Sequence, residues 1–271
     1  MTRLLVSLLL FLQAAPAIAA PKAKLKTLPH PTTLKEKRLN LKIVVDAGHG
    51  GDDFGAVGQR GTKEKDINLM VAKELAQKFK LKGYSVFLTR KSDTFISLGD
   101  RSLLANQEGA DLFISIHCNA AASPAARKKS KEGGFEIYFL SENATDEEAS
   151  DLARFENMEP EQTGLLTDQN KSATQVLFSM ARAEFINESS LFCHMVSRSV
   201  DQRVNISNRG VKQADFHVLH GVQMPSILVE MAFIDLRSEE KKLNQKKFRS
   251  AMVDAIVTGV KNFEEKVSIL K

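Results

Sequence analysis

The sequence predicts an α/β fold: a mostly parallel twisted sheet flanked by helices on both faces, with a helical insertion after the fourth strand. Three observations predict it. Short β-branched runs alternate with stretches of helical periodicity, the pattern of successive βα units. Residues 112–116, Leu-Phe-Ile-Ser-Ile, are nearly all apolar, as a strand buried on both faces must be. Residues 141–208 break the rhythm with a long helical stretch.

The elements follow in order. Residues 41–45 form a strand that runs into a glycine-rich loop, Asp46-Ala47-Gly48-His49-Gly50-Gly51. Apolar side chains at Ile67, Leu69, Met70, Val71, Leu75 and Phe79 predict a helix over 66–80, stopped near Gly83. Strands are expected at 84–88, 111–117, 134–140 and 225–229, with a short helix at 100–106 and a long amphipathic one at 239–266. Within the insertion, 145–158 is acidic, 163–172 is polar and loop-like, and 174–204 carries the apolar spacing of one long helix or two. An insertion of this length in a compact domain has a use such as a lid, or is a packed decoration.

The amino-terminal segment reads differently. Arg3 followed by the apolar run 4–12 and the small residues around Ala17 and Ala19 predicts a signal peptide over 1–20, with the mature chain starting near Ala20. An uncleaved anchor is the alternative. Residues 21–40, rich in Lys, Pro and Thr, predict a basic linker, and the folded domain spans 41–271. No later run approaches the ~20 apolar residues of a membrane-spanning helix. The excess of 38 Lys and Arg over 33 Asp and Glu gives +5, a weak preference for anionic surroundings such as wall polymers. Cys118 and Cys193 are expected to be free thiols, and the absence of a C-x-x-C pair argues against a thioredoxin-type redox centre.

His49 and His117 each follow a predicted strand, and Glu64 precedes the first helix. Carboxyl ends of strands are where sites form in open α/β sheets. Two imidazoles and a carboxylate from three such loops would make an open metal site. Each residue alone has a plainer explanation: a structural histidine, or helix-start charge in Lys63-Glu64-Lys65-Asp66. Glu230 lies between apolar runs, where a carboxylate is costly unless paired or functional. It is either a general base with a raised pKa or the partner of a buried arginine such as Arg90 or Arg101.

Several blocks, in order and at consistent spacing, carry a family resemblance. They are 45–51 with Asp53 and Gly58, 64–69, Leu88-Thr89-Arg90, Arg101 with Ala105-Asn106, 110–120, and 225–230 with Phe233-Ile234. Together they resemble the zinc-dependent N-acetylmuramoyl-L-alanine amidases of the bacterial cell wall. The resemblance implies a Zn2+ cofactor held by His49, Glu64 and His117, and Glu230 as the catalytic carboxylate. The implied reaction cleaves the amide between N-acetylmuramic acid and L-alanine in peptidoglycan, in wall remodelling and daughter-cell separation. It implies an exported protein of the periplasm or cell envelope, expected to be a monomer with no nucleic-acid partner. Cys118, and Met231-Ala232 after the glutamate, depart from the family's usual residues without removing a ligand. Another zinc hydrolase cutting a stem-peptide bond, and a non-catalytic wall-binding module, are the competing readings.

The family also includes members in which a helix inserted after the fourth strand covers the zinc until a protein activator withdraws it. Glu148 and Glu156 are the candidates for such an inhibitory zinc contact, being a little over two helical turns apart. Glu147 and Glu159 read as solvated surface.

Overall fold

The computed structural model describes residues 41–121, 133–159 and 174–270. The expected signal peptide, the basic linker and the polar loop at 163–172 lie outside the described residues. The strands are β1 (Lys42–Ala47), β2 (Ser85–Leu88), β3 (Leu112–His117), β4 (Phe135–Leu140), β5 (Asn208–Ala214) and β6 (Ser226–Glu230). They form one sheet in the order β2-β1-β3-β6-β4-β5. The β1–β2, β1–β3, β3–β6 and β4–β5 pairs are parallel; β4 meets β6 antiparallel. The helices are α1 (Glu64–Leu81), α2 (Leu98–Gln107), α3 (Glu147–Glu156), α4 (Thr174–Arg203), α5 (Arg237–Leu243) and α6 (Lys246–Leu270). Among the described residues no helix is long and apolar enough to cross a membrane.

Strand alternation sorts side chains between two faces. Ile43, Val45, Leu112, Ile114, Ile116, Ile227 and Val229 pack against apolar residues of α1, α4 and α6. Val44, Phe113, Tyr138 and Leu228 pack on the opposite face, under Ala105 of α2, Ala149, Leu152 and Ala153 of α3, and Val218 and Leu219. The sheet is therefore covered on both sides, as its apolar strands require.

Three expectations need correction. The strand β5 was not foreseen: its sequence, Asn-Arg-Gly-Val-Lys-Gln-Ala, has one large apolar residue, and it forms the sheet's edge beside β4. The helix expected over 239–266 is two helices, α5 and α6, parted at Asn244–Gln245. The region 141–208 is not one appendage. In α4, Phe192, Cys193, Val196 and Val200 are fully buried in the main core, whereas α3 lies over the other face near the strand ends.

Candidate metal centre

The site is assembled at the carboxyl edge of β1, β3 and β6. His49 lies in the loop after β1 with φ of 60°, a left-handed conformation that is strained for a residue bearing a side chain. Two buried arginines hold this loop. Arg101 donates to Asp46 Oδ1 (2.9 Å) and to the carbonyls of Ala47 and His49. Arg90 donates to the carbonyls of Ala47, Gly48 and Lys65. These are the arginines considered as partners for Glu230; they are committed to the loop instead. Gly48 lets the loop press onto the second imidazole, since a Cβ there would stand 2.3 Å from ring atoms of His117.

Glu64 is the first residue of α1, not a loop residue, so the helix start itself aims the carboxylate. Its Oε2 accepts from Ala56 N–H (2.9 Å), and its Oε1 from Cys118 N–H (2.9 Å) and the Asn68 amide (3.1 Å). His117 ends β3 on the same sheet face as Asp46, whereas Cys118 turns into the α1 side. His49 Nδ1 lies 2.8 Å from Asp53 Oδ2, which leaves Nε2 directed at the cluster. Asp53 is a residue that the reading of individual residues missed. Its place four residues after His49 was the available signal.

His49 Nε2, Glu64 Oε1, His117 Nδ1 and Glu156 Oε2 converge. Each nitrogen lies 2.8–3.3 Å from the two carboxylate oxygens, and all four residues offer ligand atoms within 4.8 Å of one another. Tetrahedral coordination at ~2.0–2.2 Å requires ligand atoms ~3.3–3.6 Å apart, so the separations are close to those of a compact four-ligand site. The hydrogen bonding agrees with that fit. His49 Nε2, His117 Nδ1 and both Glu156 oxygens are buried without a well-formed hydrogen bond, a costly state that a cation would relieve. Burial opposes charge on both imidazoles, yet the Glu64 and Glu156 carboxylates outweigh it and raise both, His117 to about 10. A cation among the ligands would satisfy the same carboxylates.

Of the two insertion candidates, the structure brings only Glu156 to this cluster. Glu148 is a correction: its carboxylate is bound to Arg209 and is largely exposed. Eight residues turn a helix through ~800°, leaving the two side chains ~80° apart, enough to separate their partners. Glu159, read as solvated, accepts from Leu98 N–H at the start of α2. With α3 in place, the cavity beside the cluster is about 10 Å³, room for about one water molecule.

Glu230 ends β6, paired in register with His117. It is completely buried, and neither carboxylate oxygen has a hydrogen-bond partner. Burial, and then the nearby Glu156 carboxylate, push its pKa well above the usual range. Glu136, on β4, is the register partner of Glu230 on its other side. Sequence reasoning missed Glu136: its carboxylate binds Asn119, Tyr138, Arg209 and Lys212. Both cysteines are free and buried.

Fold and site together define a class of α/β protein: one whose parallel strand ends carry a buried cluster able to hold a metal ion, with an unpaired carboxylate beside it. Residues 43–262 match the family described as N-acetylmuramoyl-L-alanine amidase (Amidase_3), and the chain belongs to that family. It is 36% identical to the N-acetylmuramoyl-L-alanine amidase AmiA of Escherichia coli over 220 residues, 80% of this chain and 74% of that protein. It is 34% identical to the amidase AmiC of Neisseria meningitidis serogroup B over 255 residues, covering 93% of this chain but 59% of that longer protein. Its fold resembles the crystal structure of an N-acetylmuramoyl-L-alanine amidase from Clostridium difficile 630, with a TM-score of 0.61 and 28% identity, over 84% of this chain and 98% of that one.

Proposed function

We propose that this chain is a zinc-dependent peptidoglycan amidase held in a closed state by α3. His49, Glu64 and His117 would hold the metal, and Glu156 would supply a fourth ligand atom while α3 is docked. Zinc, when bound, supplies Lewis acidity that polarises an amide carbonyl and acidifies water towards pKa ~7. The bond cut is the amide joining N-acetylmuramic acid to L-alanine. Glu230 takes the proton of the attacking water and returns it to the departing amine of L-alanine, for which a raised pKa is suited. Asp53 fixes the His49 tautomer and orientation, and Asn68, Ala56 and Cys118 fix both oxygens of Glu64.

The observation that carries the reading is the unpaired, fully buried Glu230 beside the four-ligand cluster. A buried carboxylate with no partner is destabilising and is retained for use. Family membership supports the same substrate class. An enzyme of the wall is exported, so the expected signal peptide fits a periplasmic or cell-envelope protein acting in wall remodelling and cell division.

Glu156 supports a regulated site. Its carboxylate takes the position that water or substrate needs, and α3 leaves almost no space beside it. A partner protein that binds only the form with α3 withdrawn would activate the enzyme by shifting this equilibrium.

Mass spectrometry of digested muropeptides tests the reaction. A free lactyl group on muramic acid, with a new amino-terminal L-alanine, is the expected product pair. Cleavage inside the stem peptide would identify a different hydrolase, and intact muropeptides would point to a wall-binding module.

A further inference from the structure

We infer that Glu240 of α5 is a positioning residue for Glu64: its carboxylate clamps the loop that sets where α1 begins, and so where the Glu64 carboxylate points. The inference rests on the reading of Glu64 as a metal ligand and adds to it a residue remote from the cluster.

The first turn of a helix presents N–H groups with no partner inside the helix, and a side chain at the N-cap often meets them. In α1 the N-cap is Lys63, which makes no side-chain cap. The loop before it takes that role. Glu64 N–H donates to the Ala56 carbonyl (2.9 Å) and Lys65 N–H to the Phe54 carbonyl (3.2 Å). Ala56 N–H returns a bond to Glu64 Oε2 at 2.9 Å. Val57 and Lys63 face each other as an antiparallel bridge, and Gly58 N–H donates to the Thr62 carbonyl at 2.8 Å. Residues 56–64 thus form a small hairpin whose base holds Glu64 through main chain and side chain together. Displacing the hairpin displaces the carboxylate.

The tip of the hairpin is held from α5. Arg60 N–H lies 3.0 and 3.1 Å from the two Glu240 oxygens, and Thr62 N–H lies 3.3 Å from Oε1. Glu240 is fully buried, where a carboxylate is costly unless its hydrogen bonds are made. Gly58 permits the approach: a Cβ there would stand 2.4 Å from Glu240 Oε1 and 2.9 Å from the Ile234 carbonyl. Two further bonds close the same contact, from the Gln59 amide to the Asp235 carbonyl and from the Asn244 amide to Thr62 Oγ1, both 2.9 Å.

The clamp is itself anchored beside the other working residues. Met231 N–H donates to the His117 carbonyl (3.1 Å) and Ile234 N–H to the Asn119 carbonyl (2.8 Å), which fixes the chain leaving β6 onto the end of β3. One short segment, 230–240, therefore carries Glu230 at its start and the clamp on the Glu64 hairpin at its end. Through it the position of Glu64 is referred to His117 and Glu230. Oε1 of Glu240 accepts from both Arg60 and Thr62. A glutamine with its carbonyl at that place keeps both bonds, whereas alanine leaves both N–H groups without their acceptor.

Zinc affinity and stability, both measured on the full chain, separate aiming from mere support. Chelator competition on the folded protein gives the first, and urea unfolding of the zinc-free protein gives the second. Glu240→Ala should weaken zinc binding about tenfold or more, as loss of the groups that support a ligand does. Glu240→Gln should restore most of the affinity. Phe192→Ala, in the core under α4, should lower the urea midpoint while leaving zinc affinity nearly unchanged. Gly58→Ala forces the hairpin off the clamp from the loop side and should match Glu240→Ala in zinc binding; it decides in place of Glu240→Ala should that variant not fold. Unchanged zinc affinity in Glu240→Ala or Gly58→Ala, or an equal loss in Glu240→Gln or Phe192→Ala, overturns the inference. An unmodified chain that binds no zinc overturns the metal reading and the inference with it. Zinc binding without cleavage at L-alanine is failure of the amidase reading alone and leaves the role of Glu240 standing.

Discussion

His117 and Glu230 occupy paired positions at the ends of neighbouring parallel strands, β3 and β6. Paired residues on adjacent strands project to the same face, so this one register places an imidazole of the cluster beside the unpaired carboxylate. A shift of one residue would send Glu230 to the α1 side of the sheet and leave Val229 in its place.

The first prediction follows from that pairing. Glu230→Gln should fold and bind zinc normally, because Gln keeps the shape while removing the titrating group. Turnover should fall by ~10²–10⁴-fold. A rate within a few-fold of the unmodified chain would show that Glu230 is structural.

The Asp53 carboxylate orients His49 through Nδ1 at 2.8 Å. Asp53→Asn should weaken zinc affinity by ~10–100-fold without unfolding the chain. Competition with a chelator measures it, and an unchanged affinity would remove Asp53 from the site.

Asp46 gives a pH-dependent prediction. Burial raises its pKa, but the Arg101 guanidinium and the Thr89 and Ser115 hydroxyls outweigh burial and hold it below the usual aspartate range. A folded-state pKa below the unfolded one contributes stability above the unfolded value and loses it as pH falls through the folded value. The wild-type chain should therefore lose this contribution progressively below pH ~4. Asp46→Asn leaves Arg101 without its buried counter-charge and should cost about 3–5 kcal/mol near neutrality. Urea unfolding at several pH values checks both points. A gap between the two proteins that does not narrow between pH ~5 and ~2 would contradict the assignment.

The two helices after β4 should respond differently to mutation. Phe192 of α4 is fully buried in the main core and stacks near Phe263. Phe192→Ala should cost about 3–5 kcal/mol in urea unfolding. A loss under about 1 kcal/mol would show that α4 is peripheral after all.

Much of this was legible in the sequence because the physics behind it is local. Apolar runs such as 112–116 declare central strands, and strand-end histidines after such runs declare an edge where side chains converge. The position of Glu156 could be suspected from the resemblance, but its partner could not be separated from that of Glu148, since only three-dimensional docking tells which face of α3 meets the cluster. The strand β5 stayed hidden because an edge strand, solvated on one side, needs little apolar patterning. Glu136 stayed hidden for a related reason. Its neighbours Asn119, Tyr138, Arg209 and Lys212 come from four separate segments, and nothing in their spacing announces that they meet.

The most direct test of the account is the release of peptides with amino-terminal L-alanine from isolated sacculi by the zinc-loaded Glu156→Ala chain. The account predicts faster release than by the unmodified chain without any partner protein, and loss of that release when Glu230→Gln is added. Release no faster than the unmodified chain, or release that persists without Glu230, would contradict it.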